Sequence, residues 1–177
     1  MSAQLRFSLS VVMARISIDN RWQPYHWQPL AVLPDDHEHR QSQTLRCDPA
    51  ETHTLHPGFI VEVHADEAEG YFLNVGFPEP FVFVSWRMSE QGGEAYPHQL
   101  TLSYNEAARW MDGQEKVDGV PMPEAVRAAL SQWVAVHYKP PERKRRIRPR
   151  SFESREGRYR DGMAVDGEHL SIDKERA

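Results

Sequence analysis

The layout of this chain is predicted from one stretch, Asp66-Glu67-Ala68-Glu69-Gly70-Tyr71-Phe72-Leu73-Asn74. It places a charged turn between two runs that have the composition of strands. Asp66 precedes Glu69 by the three-residue spacing of a capping box, and Gly70 suits the left-handed conformation that ends a helical turn. The sequence therefore predicts one capped helical turn here, followed by a strand over residues 71–76.

Length and composition predict one hydrophobic core with a polar appendage. The chain has 177 residues, of which 40% are hydrophobic, which suits one domain of ordinary size. Its net charge of -5 is unevenly distributed, because residues 1–138 carry 9 basic and 18 acidic side chains whereas residues 139–150 carry 7 basic and one acidic. Such an acidic body would repel the phosphates that the basic strip attracts, which argues against a nucleic-acid partner.

Two features predict a cytoplasmic protein without a membrane span. The chain contains one cysteine, Cys47, which fits a reducing compartment. No run reaches the roughly 18 consecutive apolar residues that a membrane helix needs. The apolar segment from Leu5 to Met13 alternates with polar residues, which is the period of a half-buried strand and not that of a signal peptide.

Alternating apolar residues and turn signals predict a mainly β, α+β fold. The expected strands cover about residues 5–13, 27–33, 44–47, 51–55, 59–63, 71–76, 81–88 and 98–103. We interpret Pro57-Gly58 as a turn between the fourth and fifth of these runs, and the run that starts at Phe81 as a central strand. The expected architecture is a single antiparallel β barrel or sandwich of about six to eight strands.

Two helices are predicted on the C-terminal side of this sheet. Ser103 and Glu106 have the spacing of a capping box before a short helix, and a longer helix follows Pro123. Beyond the second helix the chain is rich in charge and poor in large apolar residues. We expect residues 1–139 to form the globular β-rich domain and residues 140–177 to form a basic, then mixed-charge, disordered tail.

Four histidines are weak candidates for metal ligands. His37 and His39 would project from one face if their segment were a strand, and His53 and His56 follow at short spacing. However, the first pair lies in a predicted polar loop, and the chain contains no CxxC or HExxH motif. Solvated loop histidines are the favoured interpretation, so no cofactor is predicted; a small metal- or nucleotide-binding enzyme is the alternative.

The carboxylates of the acidic turn have three interpretations, which are acid–base catalysts, ligands of a hard cation and structural caps. Capping accounts for Asp66 and Glu69 without further assumption, at about 1 kcal/mol for each cap. Glu67, Tyr71 and Asn74 are then the candidates for contact with a partner. For Asn74 the reason is that Asn is disfavoured in strands. An equally simple role for Asn74 is to satisfy a neighbouring backbone group. The absence of a GxSxG motif or a Gly-rich phosphate loop weakens an enzymatic interpretation.

The basic strip from Lys139 to Arg150 is the strongest electrostatic feature of the sequence. It lacks interleaved aromatic residues, so nucleic-acid binding would act through phosphates and would be salt-sensitive. A solvated or protein-docking role is favoured, with nucleic-acid binding as the alternative. The candidate partner contacts in the strip are Arg143, Lys144, Arg145, Arg146 and Arg148.

Several segments resemble a family of functionally uncharacterised bacterial proteins whose genes typically lie beside genes for formate dehydrogenase and for molybdenum-cofactor assembly. They occur in order over roughly residues 7–150, and are residues 11–15, Trp22, Trp27, 31–34, 66–71, 73–74, 103–109, 120–123 and the basic stretch from Arg143. The resemblance implies an accessory role in making or inserting the molybdenum centre of a formate dehydrogenase. We therefore expect a non-enzymatic accessory or assembly factor that docks a formate dehydrogenase subunit or a cofactor-assembly protein. It supplies no catalytic residues, and this chain lacks the Gly-rich loop that a molybdopterin-guanine dinucleotide transferase needs.

Overall fold

The computed structural model describes residues 5–35, 41–91 and 93–141. Within these residues the strands are β1 (Arg6–Ser17), β2 (Tyr25–Pro34), β3 (Gln43–Cys47), β4 (Glu51–Glu62), β5 (Phe81–Met88), β6 (Ala95–Thr101) and β7 (Lys116–Pro121). The helical segments are a 3-10 turn (Ala65–Glu67), α1 (Ala68–Val75), α2 (Tyr104–Asp112) and α3 (Glu124–His137).

The strands form two antiparallel sheets. One has the order β2-β1-β4-β3 and the other the order β6-β5-β7. The predicted mainly β, antiparallel fold is therefore confirmed, and β5 is the central strand of its sheet as expected. A closed barrel is wrong, because no ladder joins the two sheets within the described residues. They approach each other mainly where β2 lies near β7 and where β4 lies near β6.

One hydrophobic core is shared by both sheets and by α1 and α3. Leu9, Val11 and Met13 are its members from β1, as their alternation in the sequence predicts. Val82 and Val84 enter it from β5. The matching stripe of α3, which repeats at helical spacing, consists of Val126, Leu130 and Val134. No helix in the described part of the chain is long and apolar enough to cross a membrane.

The predicted turn at Pro57-Gly58 is wrong, because β4 runs through it as one long strand. Gly58 takes φ +91°, a conformation that costs other residues free energy. The pairing of β4 with β1 shifts register at this level, between Leu9 and Val11. The glycine thus absorbs an irregularity in the ladder without reversing the chain.

The acidic stretch also folds differently from its prediction. Residues 71–76 do not form a strand, since α1 continues through most of them. The buried residues of α1 are Ala68, Gly70, Tyr71 and Asn74, which share one helical face. No side chain caps the start of the 3-10 turn or of α1, and Gly70 lies inside the helix without a positive φ. A short apolar run is compatible with the two-residue period of a strand and with the 3.6-residue period of a helix, and here the run forms part of α1.

The later elements contain both a confirmed prediction and an omission. Ser103 Oγ accepts a hydrogen bond from the Glu106 backbone N–H at 3.1 Å, which confirms the predicted cap of α2. Strand β7 was missed because its Gly119 and Pro121 are turn signals that weaken the alternating pattern. Pairing with β5 overrides this weak local preference, and Trp86 Nε1 of β5 donates to Asp118 Oδ2 of β7 at 2.6 Å.

Asn74 is completely buried and ties α1 to both neighbouring strands. Its Nδ2 donates to the backbone oxygens of Phe81 and Leu102, each at 2.7 Å, and its Oδ1 accepts from Phe81 N–H at 3.0 Å. The backbone-satisfying role considered for Asn74 is thus the one that it performs. Direct contact with a partner is not available to it in this structure.

We expect Asn74→Ala to lower the free energy of unfolding by roughly 2 to 4 kcal/mol, because three backbone groups, one buried and two part-buried, lose their partner. Urea unfolding followed by circular dichroism measures the change. The matched control is Glu69→Ala on the exposed face of the same helix, with an expected change within about 0.5 kcal/mol. Equal losses in the two variants would contradict the role assigned to Asn74.

Candidate functional site

A polar network connects the acidic turn to the start of α2. Ser103 Oγ donates to Glu67 Oε2 at 2.6 Å, and the Arg109 guanidinium pairs with Glu67 Oε1. Both carboxylate oxygens of Glu67 are therefore engaged, although 20% of its side chain is exposed. The network places the one charged candidate of the acidic turn between two helices.

The network continues towards β6 through Thr101 and Glu106. Thr101 Oγ1 donates to Glu106 Oε2 at 2.5 Å and accepts from Ser103 N–H at 3.0 Å. The predicted capping box is therefore only half formed, since the Glu106 carboxylate binds Thr101 and not the Ser103 backbone. Thr101 and Ser103 are buried, which leaves Glu106 as the partly exposed end of this chain of contacts.

Gly70 allows α1 to approach this network closely. A Cβ atom built on Gly70 would lie 2.1 Å from Ser103 Oγ, 3.1 Å from Ser103 Cβ and 3.2 Å from the Asn105 backbone N. A larger residue would force Ser103 Oγ out of its contacts with Glu67 and the Glu106 N–H, or would move α1 away from α2. The sequence marked this glycine correctly as a special position, but the constraint on it is contact between helices.

Tyr71 packs beneath the acidic turn with 2% of its surface exposed. Its hydroxyl accepts from His64 N–H at 3.2 Å, and its ring meets the Trp133 ring edge-on at 5.8 Å. Burial raises the pKa of the Tyr71 phenol; the hydrogen bond from His64 offsets this in part, and the carboxylates of Glu106 and Glu67 add to it. Tyr71 therefore supports the surface from below and is not positioned to contact a partner.

An open groove adjoins the network between β4, β6 and α2. It consists of two adjoining hollows of about 460 and 400 Å³ that share Ile60, Leu100 and Glu106. The other lining residues are Phe59, Val61, Glu62, His64, His98, Gln99, Thr101 and Trp110. No Lys or Arg is among these lining residues, and the carboxylates among them are those of Glu62 and Glu106.

The groove was missed at the level of sequence, although one signal for it was present. Phe59, Val61 and Val63 follow the expected alternation of a half-buried strand. Ile60 interrupts it with an apolar side chain on the opposite face, where it is 62% exposed. A large apolar residue on an outward face can mark a contact surface, but only when others lie beside it in space. Leu100 and Trp110 are those neighbours, and they come from distant parts of the chain.

The histidine candidates do not come together as a metal site in the described residues. His53 and His56 pair with Ala14 and Val11 of β1 in regular register, and their odd spacing puts them on opposite faces of β4. His53 Nε2 lies 2.7 Å from Glu51 Oε1, and burial lowers the pKa of the His56 imidazole, partly offset by Glu94. His, Cys, Asp and Glu side chains form no group of three or more that could hold a metal in the described ranges.

Several of the predicted site residues lie outside the described part of the chain. His37 and His39 lie outside the described residues, and so do the basic candidates Arg143, Lys144, Arg145, Arg146 and Arg148. The predicted tail over residues 140–177 also falls almost entirely outside them. These predictions stay predictions.

Fold and site together define a small, mainly β protein with an acidic groove open to solvent on one flank. The chain belongs to the family described as "Protein of unknown function (DUF3305)", which matches residues 8–148. Neither a curated protein nor a solved structure matches it. Membership of an uncharacterised family agrees with the resemblance noted from the sequence, whereas the association with formate dehydrogenase genes stays a prediction.

We expect Gly70→Ala to destabilise the protein by roughly 1 to 3 kcal/mol, although alanine favours helix, because its methyl group overlaps Ser103 Oγ. Urea unfolding of Gly70→Ala, Ser103→Gly and the double variant forms a mutant cycle. The double variant should lose less free energy of unfolding than the sum of the two single losses. Additive losses would show that the helices do not meet at these two residues.

The raised pKa of Tyr71 predicts a loss of stability at alkaline pH. Its contribution is fully present below the unfolded pKa of about 10 and is lost as the pH rises through the higher folded pKa, since ionisation of the buried phenol is unfavourable. Unfolding free energies measured at about pH 8 and pH 11 should therefore fall less in Tyr71→Phe than in the unchanged protein. Tyr96→Phe, at a 40% exposed position, is the control. An equal fall in both variants would contradict this assignment.

Proposed function

We propose that this protein is a non-enzymatic accessory or assembly factor that acts in the cytoplasm by docking a protein partner. The observation that carries the proposal is the open groove beside β4, with its exposed Ile60 and its acidic rim. Small-molecule sites usually enclose most of their ligand in a mainly apolar pocket. A shallow groove along strands is better suited to a segment of another protein.

Docking at the groove does not require the residues of the acidic turn to touch the partner. Tyr71 and Asn74 are buried, so in this proposal they hold the docking surface in place from below. Glu67 links the turn to α2 through Ser103 and Arg109. In this proposal the groove contacts the partner, and its lining residue Glu106 belongs to the same network.

The partner that we propose is a formate dehydrogenase subunit or a protein of molybdenum-cofactor assembly. The support for this choice is the resemblance carried by the sequence segments between residues 7 and 150. Residues 143–148 of the basic strip would supply a second contact, which suits a partner with an anionic surface. The two surfaces would have opposite charge, so they would engage different regions of the partner.

Affinity purification tests this function. Tagged full-length protein, recovered from bacteria that produce a molybdenum-dependent formate dehydrogenase, should co-purify a subunit of that enzyme or a cofactor-assembly protein, identified by mass spectrometry. A protein truncated after Tyr138 should recover less of it, because the basic strip is absent. The matching genetic measurement is formate dehydrogenase activity in a deletion strain at limiting molybdate. Full activity there, together with no co-purified enzyme or assembly protein, would refute the proposal.

A further inference from the structure

The turn that joins β1 to β2 carries the most exposed large apolar side chain of the described residues. Trp22 is 90% exposed, and the next, Val136, is 71% exposed. Hydrogen bonds hold the backbone of this turn: Trp22 N–H donates to Asn20 Oδ1 and Ile18 N–H donates to Pro24 O, each at 2.9 Å. The indole of Trp22 is therefore presented to solvent at the tip of the hairpin and is not folded back onto the core.

The adjoining end of the same sheet carries cationic and aromatic side chains. In the β1–β2 ladder Arg15 pairs with Trp27, and Ser17 pairs with Tyr25. Arg15 follows Met13 at the two-residue period of a strand, so it lies on the face of the sheet that forms the core. Met13 is fully buried, whereas Tyr25 is 40% exposed. The core therefore ends between these two positions, and the face beyond it is open.

The guanidinium of Arg15 is stacked on the aromatic rings of this open face. It lies 4.7 Å from the centroid of the Tyr25 ring and 6.0 Å from that of the Trp27 ring. Its hydrogen bond to Thr52 Oγ1, at 3.1 Å, joins it to a neutral hydroxyl. A guanidinium has five N–H donors, so further donors of Arg15 are available to an acceptor from outside the molecule.

Arg21 repeats this arrangement at the tip, where its guanidinium lies 5.8 Å from the centroid of the Trp22 ring. Arg46 and Arg109, by contrast, each form an ion pair with a carboxylate. Neither Arg15 nor Arg21 has such a partner among the described residues. Trp, Tyr and Arg are the residues enriched in the energetic centres of protein interfaces, and this hairpin presents all three.

The carboxylates near this hairpin do not cancel its positive charge. Residues 15–27 contain two arginines and one acidic residue, Asp19, although the body of the protein has an excess of acidic side chains. Asp48 and Glu51 line a hollow of about 140 Å³ beside Arg15, but both already pair with Arg46. The end of the hairpin is thus a locally cationic and aromatic surface on an acidic protein.

We propose that the end of the β1–β2 hairpin is a further docking surface, which inserts Trp22 into an apolar cleft of the partner protein and pairs Arg15 and Arg21 with carboxylates bordering that cleft. A protruding indole suits a concave site, and unpaired guanidiniums favour an anionic one. The basic strip has the same sign of charge, so both would face an anionic partner surface. This inference rests on the proposed docking function and adds the chemistry of the partner surface that the hairpin meets.

The test titrates full-length variants against the formate dehydrogenase subunit or assembly protein that co-purifies with the unchanged protein, by isothermal calorimetry. Trp22→Ala should weaken binding at least about tenfold, and Trp22→Phe, which keeps an aromatic ring, should weaken it less. Val136→Ala is the matched control, because it shortens an exposed apolar side chain on α3, and it should change binding less than about twofold. Undiminished binding by Trp22→Ala would overturn the inference.

The charged part of the proposal has its own variants. Arg21→Gln should weaken binding about threefold or more and reduce its dependence on salt, and the double variant with Arg15→Gln should lose more. Arg127→Gln is the control, since Arg127 lies 3.9 Å from Glu124 on α3 and should not contribute. Thermal unfolding confirms that each variant is folded. An unchanged salt dependence in folded Arg21→Gln and in the double variant would overturn the inference.

The same proteins distinguish failure of the inference from failure of the proposed function. Recovery of the partner by both the unchanged protein and Trp22→Ala, with equal affinity, overturns only the hairpin assignment. Recovery by neither refutes the docking function, and the hairpin inference with it. Two further probes are vesicles of phosphatidylglycerol and phosphatidylcholine and a single-stranded thymidine oligonucleotide. Binding of either probe that Trp22→Ala abolishes would assign the hairpin to a membrane or to nucleic acid and would also overturn the inference.

Discussion

The buried amide of Asn74 is the contact on which the arrangement of this molecule depends. It binds the backbone at Phe81, where β5 begins, and at Leu102, just after β6. A helix that packs across strands usually relies on apolar contacts, which are close-packed but not directional. Three directional hydrogen bonds to a buried side chain specify the position of α1 along these strands, and with it the place where the acidic turn lies.

The position of α1 in turn sets the position of α2 and of the groove. Gly70 brings the two helices into contact at Ser103, and Glu67 bridges the same two helices from the side. Glu106 then extends from the first turn of α2 to Thr101 at the end of β6. The groove between β4 and α2 thus has one wall held by a continuous polar network, to which its lining residue Glu106 belongs.

Residues 1–138 and residues 139–150 carry net charges of opposite sign within one short protein. The described residues carry an acidic groove, and residues 139–150 carry most of the excess positive charge. Surfaces of opposite sign contribute more to the rate and orientation of an encounter than to its final affinity. Such a pair of surfaces would orient a partner that has both basic and acidic regions.

The sequence by itself determined the antiparallel, mainly β class, most strand positions and the capped helix at Ser103, because these follow from local periodicity and capping chemistry. It also determined that Asp66–Asn74 was a special segment. Only the tertiary structure decided that this segment is helical and that β7 is a strand, because packing against Ser103 and pairing with β5 override weak local preferences. The groove likewise required the fold, since Ile60, Leu100 and Trp110 become neighbours only when distant elements pack together.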